Sequence, residues 1–161
     1  GHEMSHGFDD QGCQFDVTGN QRNWWTATAK AAFDKRAARL ADYFSTIEVV
    51  NGKKVNGKLT LGENIGDNGG LHIALQALHN TGNNNVIDGL TADQRFFLGW
   101  ARVWASNNRE QYMDMLLNQD VHSPNTVRVN GALPQIDEWY EAFNIKKGKL
   151  FIPKKQRIKI W

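Results

Sequence analysis

The chain has 161 residues and one cysteine, Cys13, so it is long enough for one domain with a hydrophobic core and cannot form an intramolecular disulfide. Its formal net charge of +2 gives no indication of nucleic-acid binding, while six Trp and eight Phe argue against a disordered chain. These features predict a single folded domain over residues 1–161 and exclude a disulfide-stapled scaffold. Cys13 itself is predicted to pack in the core, with a reactive thiol as the alternative.

The first predicted helix carries the pentapeptide His-Glu-Met-Ser-His at residues 2–6. Its histidines, His2 and His6, are four residues apart, so on a helix both rings lie on one face and both can reach a single metal ion. Glu3 lies beside them, which completes the HExxH pattern of zinc peptidases. The alternative interpretation is a solvated helix face without a metal.

A loop, an amphipathic helix and a β-hairpin are predicted next. Glycines and paired acids over residues 7–12 end the first helix and open a loop that runs to about Asn23. From Trp24 to Phe44, apolar residues recur at steps of three and four, which predicts an amphipathic helix. Over residues 47–61, β-branched side chains surround two Asn-Gly dipeptides, which favours a short hairpin or an extended loop.

A second long helix is predicted from Leu61 to His79, where the apolar residues return to a helical period. Gly66, Gly69 and Gly70 lie inside it, and each costs roughly 1 kcal/mol of helix stability relative to Ala. Their presence therefore predicts the close approach of another backbone, such as that of a helix carrying metal ligands.

The same predicted helix carries two acids, Glu63 and Asp67, which are four residues apart and share a face. A zinc ion held by two histidines needs a third protein ligand, which one of these carboxylates can supply while the other orients a histidine. The alternative is an acid pair that stabilises the positive end of the helix dipole.

The second half of the chain is predicted to be helical with polar connections. Residues 80–90 favour a surface loop, and Thr91 opens a helix with a capping box. Asn108 is predicted to cap a further short helix. Pro124 keeps its predecessor out of the helical region, and a last helix is predicted near residues 133–143.

A basic segment over residues 146–159 contains seven Lys and Arg and no acid. The favoured interpretation is a solvated, strand-like tail, with a binding patch as the alternative. No apolar run approaches the roughly 18 residues of a membrane span, and no signal peptide is present, so no membrane span is predicted.

Three blocks of sequence, in this order, carry a resemblance to a known family. They are HEMSHGFDDQG from residue 2, GENIGDNGG from residue 62 and HSPNTVRVNG from residue 122. Val103-Trp104 and the run from Ala142 through Pro153 to Trp161 also match in kind. Over essentially its whole length the chain resembles the neprilysin family of zinc metallopeptidases. The resemblance implies a thermolysin-like zincin fold, mainly α with a short β-hairpin, of which this chain is the C-terminal portion.

The resemblance also implies a metal site and a general base. One Zn²⁺ per chain would be held by His2, His6 and Glu63. Glu3 would act as the general base that activates the zinc-bound water, which fits the lowered pKa of such water, about 7.

Other residues match family positions around that site. Asp9 and Asp67 match acids that support the zinc-bound histidines, although the sequence does not say which acid serves which ring. His122 matches the residue that stabilises the transition state, and Arg128 matches the one that binds a substrate carbonyl. Val103 and Trp104, together with Arg128, match family residues that line the pocket for the substrate residue after the scissile bond.

The function implied is a zinc-dependent endopeptidase that hydrolyses oligopeptides on the amino side of large hydrophobic residues. The alternative is a catalytically silent fragment or domain that acts as a metal-binding or protein-interaction module. A basic nucleic-acid module is a more distant alternative, and no base-reading feature accompanies the basic tail.

The chain departs from eukaryotic members of the family in its tail. Ile145 and Gln156 stand where those members carry cysteines, and Ala105 replaces the cysteine that follows the Val-Trp pair in many relatives. We therefore expect a bacterial enzyme, located outside the cytoplasm, with a cytoplasmic location as the alternative. The tail must then be fixed by burial of its apolar residues, Phe151, Ile152, Ile158 and Ile160.

A larger departure concerns sequence expected upstream of the HExxH pentapeptide. The family has an edge-strand motif that binds the peptide backbone and a helical lobe that closes over the site, and neither is present in these residues. We therefore expect this chain to be the C-terminal part of a longer catalytic domain, with the missing N-terminal lobe as its partner. Because only Gly1 precedes His2, we also expect the isolated chain to be a poor peptidase with weakened zinc affinity.

Overall fold

The computed structural model describes residues 1–161 as a mainly helical fold with one small sheet. The sheet is an antiparallel pair of β1 (Glu48–Val50) and β2 (Lys53–Lys54). The predicted fold class, mainly α with a short β-hairpin, is confirmed. None of the helices combines the length and the apolar character needed to cross a lipid bilayer. The α-helices are α1 (His2–Ser5), α2 (Ala27–Phe44), α3 (Leu61–Asn80), α4 (Ala92–Val103), α5 (Glu110–Gln119), α6 (Asn125–Asn130) and α7 (Asp137–Ala142).

The main core forms where α2 packs against α3. Phe33, Leu40 and Phe44 on one face of α2 are buried in the same cluster as Ile65 of α3, which confirms the amphipathic pattern predicted for this segment. Cys13 is buried in this cluster as well, in agreement with its predicted packing role. A second cluster joins α3 to α4 and to the segment before α7.

The glycines of α3 form a surface on which α1 lies. A Cβ atom at Gly70 would come within 2.6 Å of the backbone nitrogen of His2, and one at Gly66 within 2.9 Å of the His2 ring. At Gly69 a Cβ atom would come within 2.8 Å of the indole nitrogen of Trp161. The predicted close approach of α1, the helix that carries the candidate ligands His2 and His6, is confirmed. It explains why α3 contains glycines, although glycine disfavours a helix.

Several predicted helix ends shift in the structure. The second helix begins at Ala27 rather than near Trp24, because Thr26 caps it by accepting a hydrogen bond from the Ala29 backbone N–H. The capping box at Thr91 is confirmed. Asn108 does not cap α5, which instead begins after Arg109 without a side-chain cap.

Two segments differ in kind from the prediction. The sequence indicated only an extended region around Pro124, but the six-residue helix α6 begins directly after it. The single helix predicted over residues 133–143 is wrong. Its first part is a 3-10 turn, Leu133–Gln135, and the extended backbone of Ile136 separates that turn from α7.

The C-terminal tail crosses α2 and α3 and is held by both. Of the four apolar residues predicted to fix the tail, Ile158 and Ile160 are buried, whereas Phe151 and Ile152 are only partly buried. The Asn68 amide donates to the Ile158 carbonyl. The last residue, Trp161, stacks on Phe33 with ring centroids 5.4 Å apart. The basic side chains of the tail are mostly exposed, but its backbone includes a 3-10 turn rather than a regular strand.

Candidate metal centre

The two histidines of α1 point their rings at one another across the surface of α3. The Nε2 atoms of His2 and His6 are 3.1 Å apart, and the rings meet edge to face with centroids 4.6 Å apart. This arrangement follows from their spacing of four residues, which places both side chains on the same face of the helix.

Glu63 of α3 brings a carboxylate to the same point. Its Oε2 atom is 3.2 Å from His2 Nε2, and its Oε1 atom is 3.5 Å from His6 Nε2. Together with the 3.1 Å between the two Nε2 atoms, these distances bracket the value of about 3.3 Å expected between ligand atoms of a tetrahedral zinc site. The three side chains form a group of potential metal ligands within 4.8 Å of one another.

Two further acids contact the outer nitrogen of each histidine. Asp9 Oδ2 is 2.8 Å from Nδ1 of His6, and Asp67 Oδ1 is 2.8 Å from Nδ1 of His2. Asp9, which is close in sequence to the histidines, therefore contacts His6, and Asp67, which lies on α3, contacts His2. Asp9 is held in turn, because its Oδ1 atom accepts backbone N–H groups from Gln11 and Gly12.

The electrostatics of this cluster favour a cation. When carboxylates bind the Nδ1–H groups, both Nε2 atoms carry lone pairs, and these lone pairs face each other at 3.1 Å. Glu63 Oε2 is also buried without a hydrogen-bond donor. The Asp67 carboxylate raises the pKa of His2 above its ordinary value, against the opposing effect of burial. The imidazole and carboxylate ligands fit a zinc ion.

His122 lies at the edge of the cluster on the loop between α5 and α6. Its Nε2 atom is 3.3 Å from Glu63 Oε2, and its Nδ1 atom is 2.7 Å from Asp120 Oδ1. Burial raises the pKa of Asp120, but hydrogen bonds from the His122 backbone and ring outweigh this effect and lower the pKa below its ordinary value. Asp120 was not identified from the sequence, although its place two residues before His122 was a usable signal.

Arg128 of α6 is buried against Asp67 rather than open to solvent. Its Nε and Nη2 atoms donate to the two Asp67 carboxylate oxygens at 2.8 and 2.7 Å, a bidentate pair. The guanidinium lies 3.9 Å from the centroid of the Trp104 ring. Its backbone carbonyl accepts the indole N–H of Trp100. Among its side-chain nitrogens, Nη1 alone donates no hydrogen bond to the protein.

The remaining predicted site residues border this cluster. Glu3 is exposed on α1 and takes part in no hydrogen bond or ion pair. Val103 is 70% exposed at the end of α4. Trp104 is half-buried against Arg128, and its indole N–H is buried without an acceptor. The structure thus places four predicted residues close to the Glu63 carboxylate, namely His2, His6, His122 and Arg128. The side chains of Glu3 and Val103, by contrast, are exposed to solvent.

Comparison with known proteins gives matches over the whole chain. Neprilysin-3 of Drosophila melanogaster is 37% identical, and endothelin-converting enzyme 1 of Homo sapiens is 40% identical, each over 100% of this chain and 21% of its own length. The crystal structure of the zinc metalloprotease ZMP1 of Mycobacterium tuberculosis, in complex with an inhibitor, superposes with a TM-score of 0.96 at 40% identity. That match covers 100% of this chain and 26% of the other. The chain therefore spans about a fifth to a quarter of the length of these relatives.

A family model described as peptidase family M13 matches residues 1–158. This match covers the pentapeptide on α1, the acids of α3 and the segment from His122 to Arg128, which are the parts that meet at the candidate metal centre. The predicted resemblance is confirmed. The chain belongs to peptidase family M13, the neprilysin family of zinc metallopeptidases.

Proposed function

We propose that this chain carries the metal site of a zinc-dependent endopeptidase, with one Zn²⁺ held by His2, His6 and Glu63. The observation that carries the proposal is the convergence of these three ligand atoms within 4.8 Å, with a carboxylate on the outer nitrogen of each histidine. A bound zinc ion supplies Lewis acidity, which lowers the pKa of a water ligand to about 7.

Glu3 is the general base of the proposed reaction. Its carboxylate accepts the proton of the attacking water and passes it to the amine that leaves when the peptide bond breaks. Its exposed position and lack of a protein partner support this role, because a carboxylate held in an ion pair would be less free to take up a proton.

His122 and Arg128 bind the substrate in this proposal. The His122 ring, oriented by Asp120, donates from Nε2 to the carbonyl oxygen as it becomes negative. Arg128 binds a substrate carbonyl through its free Nη1 group while Asp67 fixes the rest of the guanidinium. Val103 and Trp104 line the pocket for the residue after the scissile bond, and their apolar surfaces favour large hydrophobic residues there.

The family relationship favours the peptidase over a catalytically silent metal-binding or interaction module. We further propose that the whole protein is a bacterial enzyme outside the cytoplasm and that a second lobe completes its substrate site. Ile145 and Gln156, at the positions of the eukaryotic tail cysteines, support a bacterial origin. Fractionation of cells that produce the whole protein would test its location.

The proposal is tested by zinc titration and peptide hydrolysis on the same preparation. We expect one zinc ion per chain. When the remaining part of the enzyme is supplied, we expect cleavage of a short peptide before a Phe or Leu residue, which a chelator abolishes and zinc restores. Folded protein that binds zinc but cleaves no peptide, even when the remaining part of the enzyme is supplied, would instead support the non-catalytic module.

A further inference from the structure

Beneath the candidate metal centre, four residues form a buried chain of hydrogen bonds. Ser123 Oγ donates to Asn64 Oδ1 at 2.7 Å, and Asn64 Nδ2 donates to Thr60 Oγ1 at 2.9 Å. The Thr60 hydroxyl donates in turn to the Asn56 carbonyl. Asn64 and Ser123 are only 1% and 2% exposed, so water does not compete for these bonds.

This chain joins two segments that carry site residues. Ser123 directly follows His122, and Asn64 directly follows Glu63, so one hydrogen bond links residues 59 positions apart in the sequence. The His122 side chain is itself 47% exposed, and its ring contacts only Asp120 of the same loop and the Glu63 carboxylate. The loop that bears His122 is therefore tied to α3 through Ser123 rather than through its own ring.

We infer that Ser123 and Asn64 are positioning residues, which hold His122 at a fixed distance from Glu63. The inference rests on the proposed peptidase function for the role of His122, but the structural tie itself does not. A directed bond between buried groups fixes both distance and angle. The Arg128–Asp67 pair fixes α6 to α3 six residues further on, and the Ser123–Asn64 bond fixes the chain directly beside His122. A transition-state donor must be held to within about 0.5 Å, which an exposed ring on a surface loop cannot achieve unaided.

The Ser123→Ala variant tests the inference, with Thr60→Val as a matched control. Each substitution removes one partner of the same buried Asn64 amide, but only the first releases the His122 loop. Zinc affinity, peptide hydrolysis and backbone amide hydrogen exchange are measured on both variants and on the unaltered chain loaded with zinc.

We expect Ser123→Ala to lower kcat by roughly ten- to a hundredfold with KM and zinc affinity within about twofold of the unaltered chain. Amide exchange should accelerate over residues 121–128. Thr60→Val should leave kcat within about twofold and accelerate exchange only near residues 60–64.

A combined Ser123→Ala/Asn64→Leu variant separates positioning from stability. It removes the Asn64 Oδ1 acceptor that Ser123→Ala leaves unpaired, and the Thr60 hydroxyl still donates to the Asn56 carbonyl, so the stability lost in Ser123→Ala should return. We expect kcat to stay low and exchange over 121–128 to stay fast.

Equal effects of Ser123→Ala and Thr60→Val on kcat and on the exchange of the His122 loop would overturn the inference, as would recovery of kcat in the combined variant. If the unaltered chain binds zinc but hydrolyses no peptide even when the remaining part of the enzyme is supplied, the proposed function fails instead. Amide exchange then decides alone whether Ser123 holds the loop.

Discussion

Each histidine of α1 is contacted by an aspartate, but the two aspartates come from different parts of the chain. Asp9 reaches His6 from only three positions along the chain, through the 3-10 turn His6–Phe8 that follows α1. Asp67 reaches His2 from a separate helix. Because carboxylates on the outer nitrogen fix the tautomer and make the ring a stronger ligand, both acids are expected to influence metal affinity.

The Asp9→Asn variant should bind zinc about 10- to 100-fold more weakly, because an amide holds the His6 ring without a negative charge. Asp10→Asn is the matched control, since the adjacent acid makes no contact with His6. Zinc affinity is measured by competition with a chromophoric chelator. Equal weakening in both variants would show that general loss of charge, and not the contact with His6, sets the affinity.

The Glu3→Gln variant should retain zinc and lose peptide hydrolysis by about 10²- to 10⁴-fold, because the amide cannot accept a proton. Metal analysis and hydrolysis of a fluorogenic peptide are compared with those of Glu48→Gln, which changes an exposed glutamate on β1. Unaltered hydrolysis in Glu3→Gln would remove Glu3 from the proposed mechanism.

At the residue level, the sequence predicted which residues meet at the candidate metal centre better than it predicted the contacts that they make. The pentapeptide and the Glu63–Asp67 pair were identified from spacing, because both sets lie on regular helices. The bidentate contact between Arg128 and Asp67 was not predictable, since it depends on how α6 packs against α3. Asn64 and Ser123 were missed because a buried polar pair has no local sequence pattern.

Among the elements, α3 contains glycines that lower its helix propensity but allow α1 to pack closely against it. Four of its glycines face α1 or the loop that follows it, and a Cβ atom at any of them would come within 3.1 Å of a neighbouring atom. Because these glycines carry no side chain, the two backbones approach so closely that side chains of α1 and α3 meet at the candidate metal centre. The four glycines are Gly62, Gly66, Gly69 and Gly70.

The Gly66→Ala variant should lower zinc affinity by roughly tenfold or more, because the added methyl group lies 2.9–3.3 Å from three atoms of the His2 ring. The ring has little room to yield, since Asp67 holds its other side. Gly99→Ala on α4 is the control, because its Cβ atom meets nothing within 4 Å.

In the control, the loss of conformational freedom in the unfolded chain should stabilise the fold by about 0.4–1 kcal/mol and leave zinc binding unchanged. Thermal unfolding and zinc titration are compared for both variants. A Gly66→Ala protein with unaltered zinc affinity would mean that the His2 ring is not confined by α3.

The elements predicted from periodicity were largely correct, and the errors fall at short helices. The long helix α2 buries a regular apolar face that the sequence displays directly. In α3, by contrast, every residue from 64 to 71 is buried, including polar residues and glycines. The six-residue helix α6 has too few turns to show a period. The split of the segment 133–143 depends on the backbone of Ile136, whose fully buried side chain fixes its place in the core.

At the scale of the whole molecule, a small charged cluster of Asp137, Lys154 and Arg157 holds the C-terminal tail against α7. Asp137 accepts from Arg157 at 2.7 Å and pairs with Lys154 at 2.9 Å. The Arg157 guanidinium also lies over the Tyr140 ring, 3.4 Å from its centroid. This cluster lies between the buried part of the tail and the second hydrophobic cluster, and so joins the two ends of the core.

Stability should depend on pH through Asp137. Burial raises its pKa, but hydrogen bonds from Lys154 and Arg157 outweigh burial and lower the pKa below its ordinary value. The ionised carboxylate therefore stabilises the fold above the pKa of the unfolded chain, about 3.9, and this contribution disappears as pH falls through the lower pKa of the folded state.

We expect the Asp137→Asn variant to be less stable than the unaltered chain at about pH 7, with the difference shrinking below about pH 4. Urea unfolding across this range measures the effect. Asp88→Asn serves as the control, because Asp88 makes no ion pair and its left-handed backbone suits Asn equally. A difference that is independent of pH would assign the effect of Asp137 to something other than its charge.

One carboxylate oxygen connects the candidate metal centre to Arg128, which the proposed function assigns to substrate binding. Asp67 Oδ1 lies 2.8 Å from His2 Nδ1 and 2.7 Å from Arg128 Nη2, so the same negative charge serves both partners. If His2 binds zinc and Arg128 binds substrate, as proposed, the two binding events are expected to be thermodynamically linked through this carboxylate. Whatever factor zinc applies to the affinity for a peptide at Arg128, the peptide must apply to the affinity for zinc. Under the proposed function, a peptide that binds Arg128 more tightly when zinc is present would therefore also strengthen zinc binding.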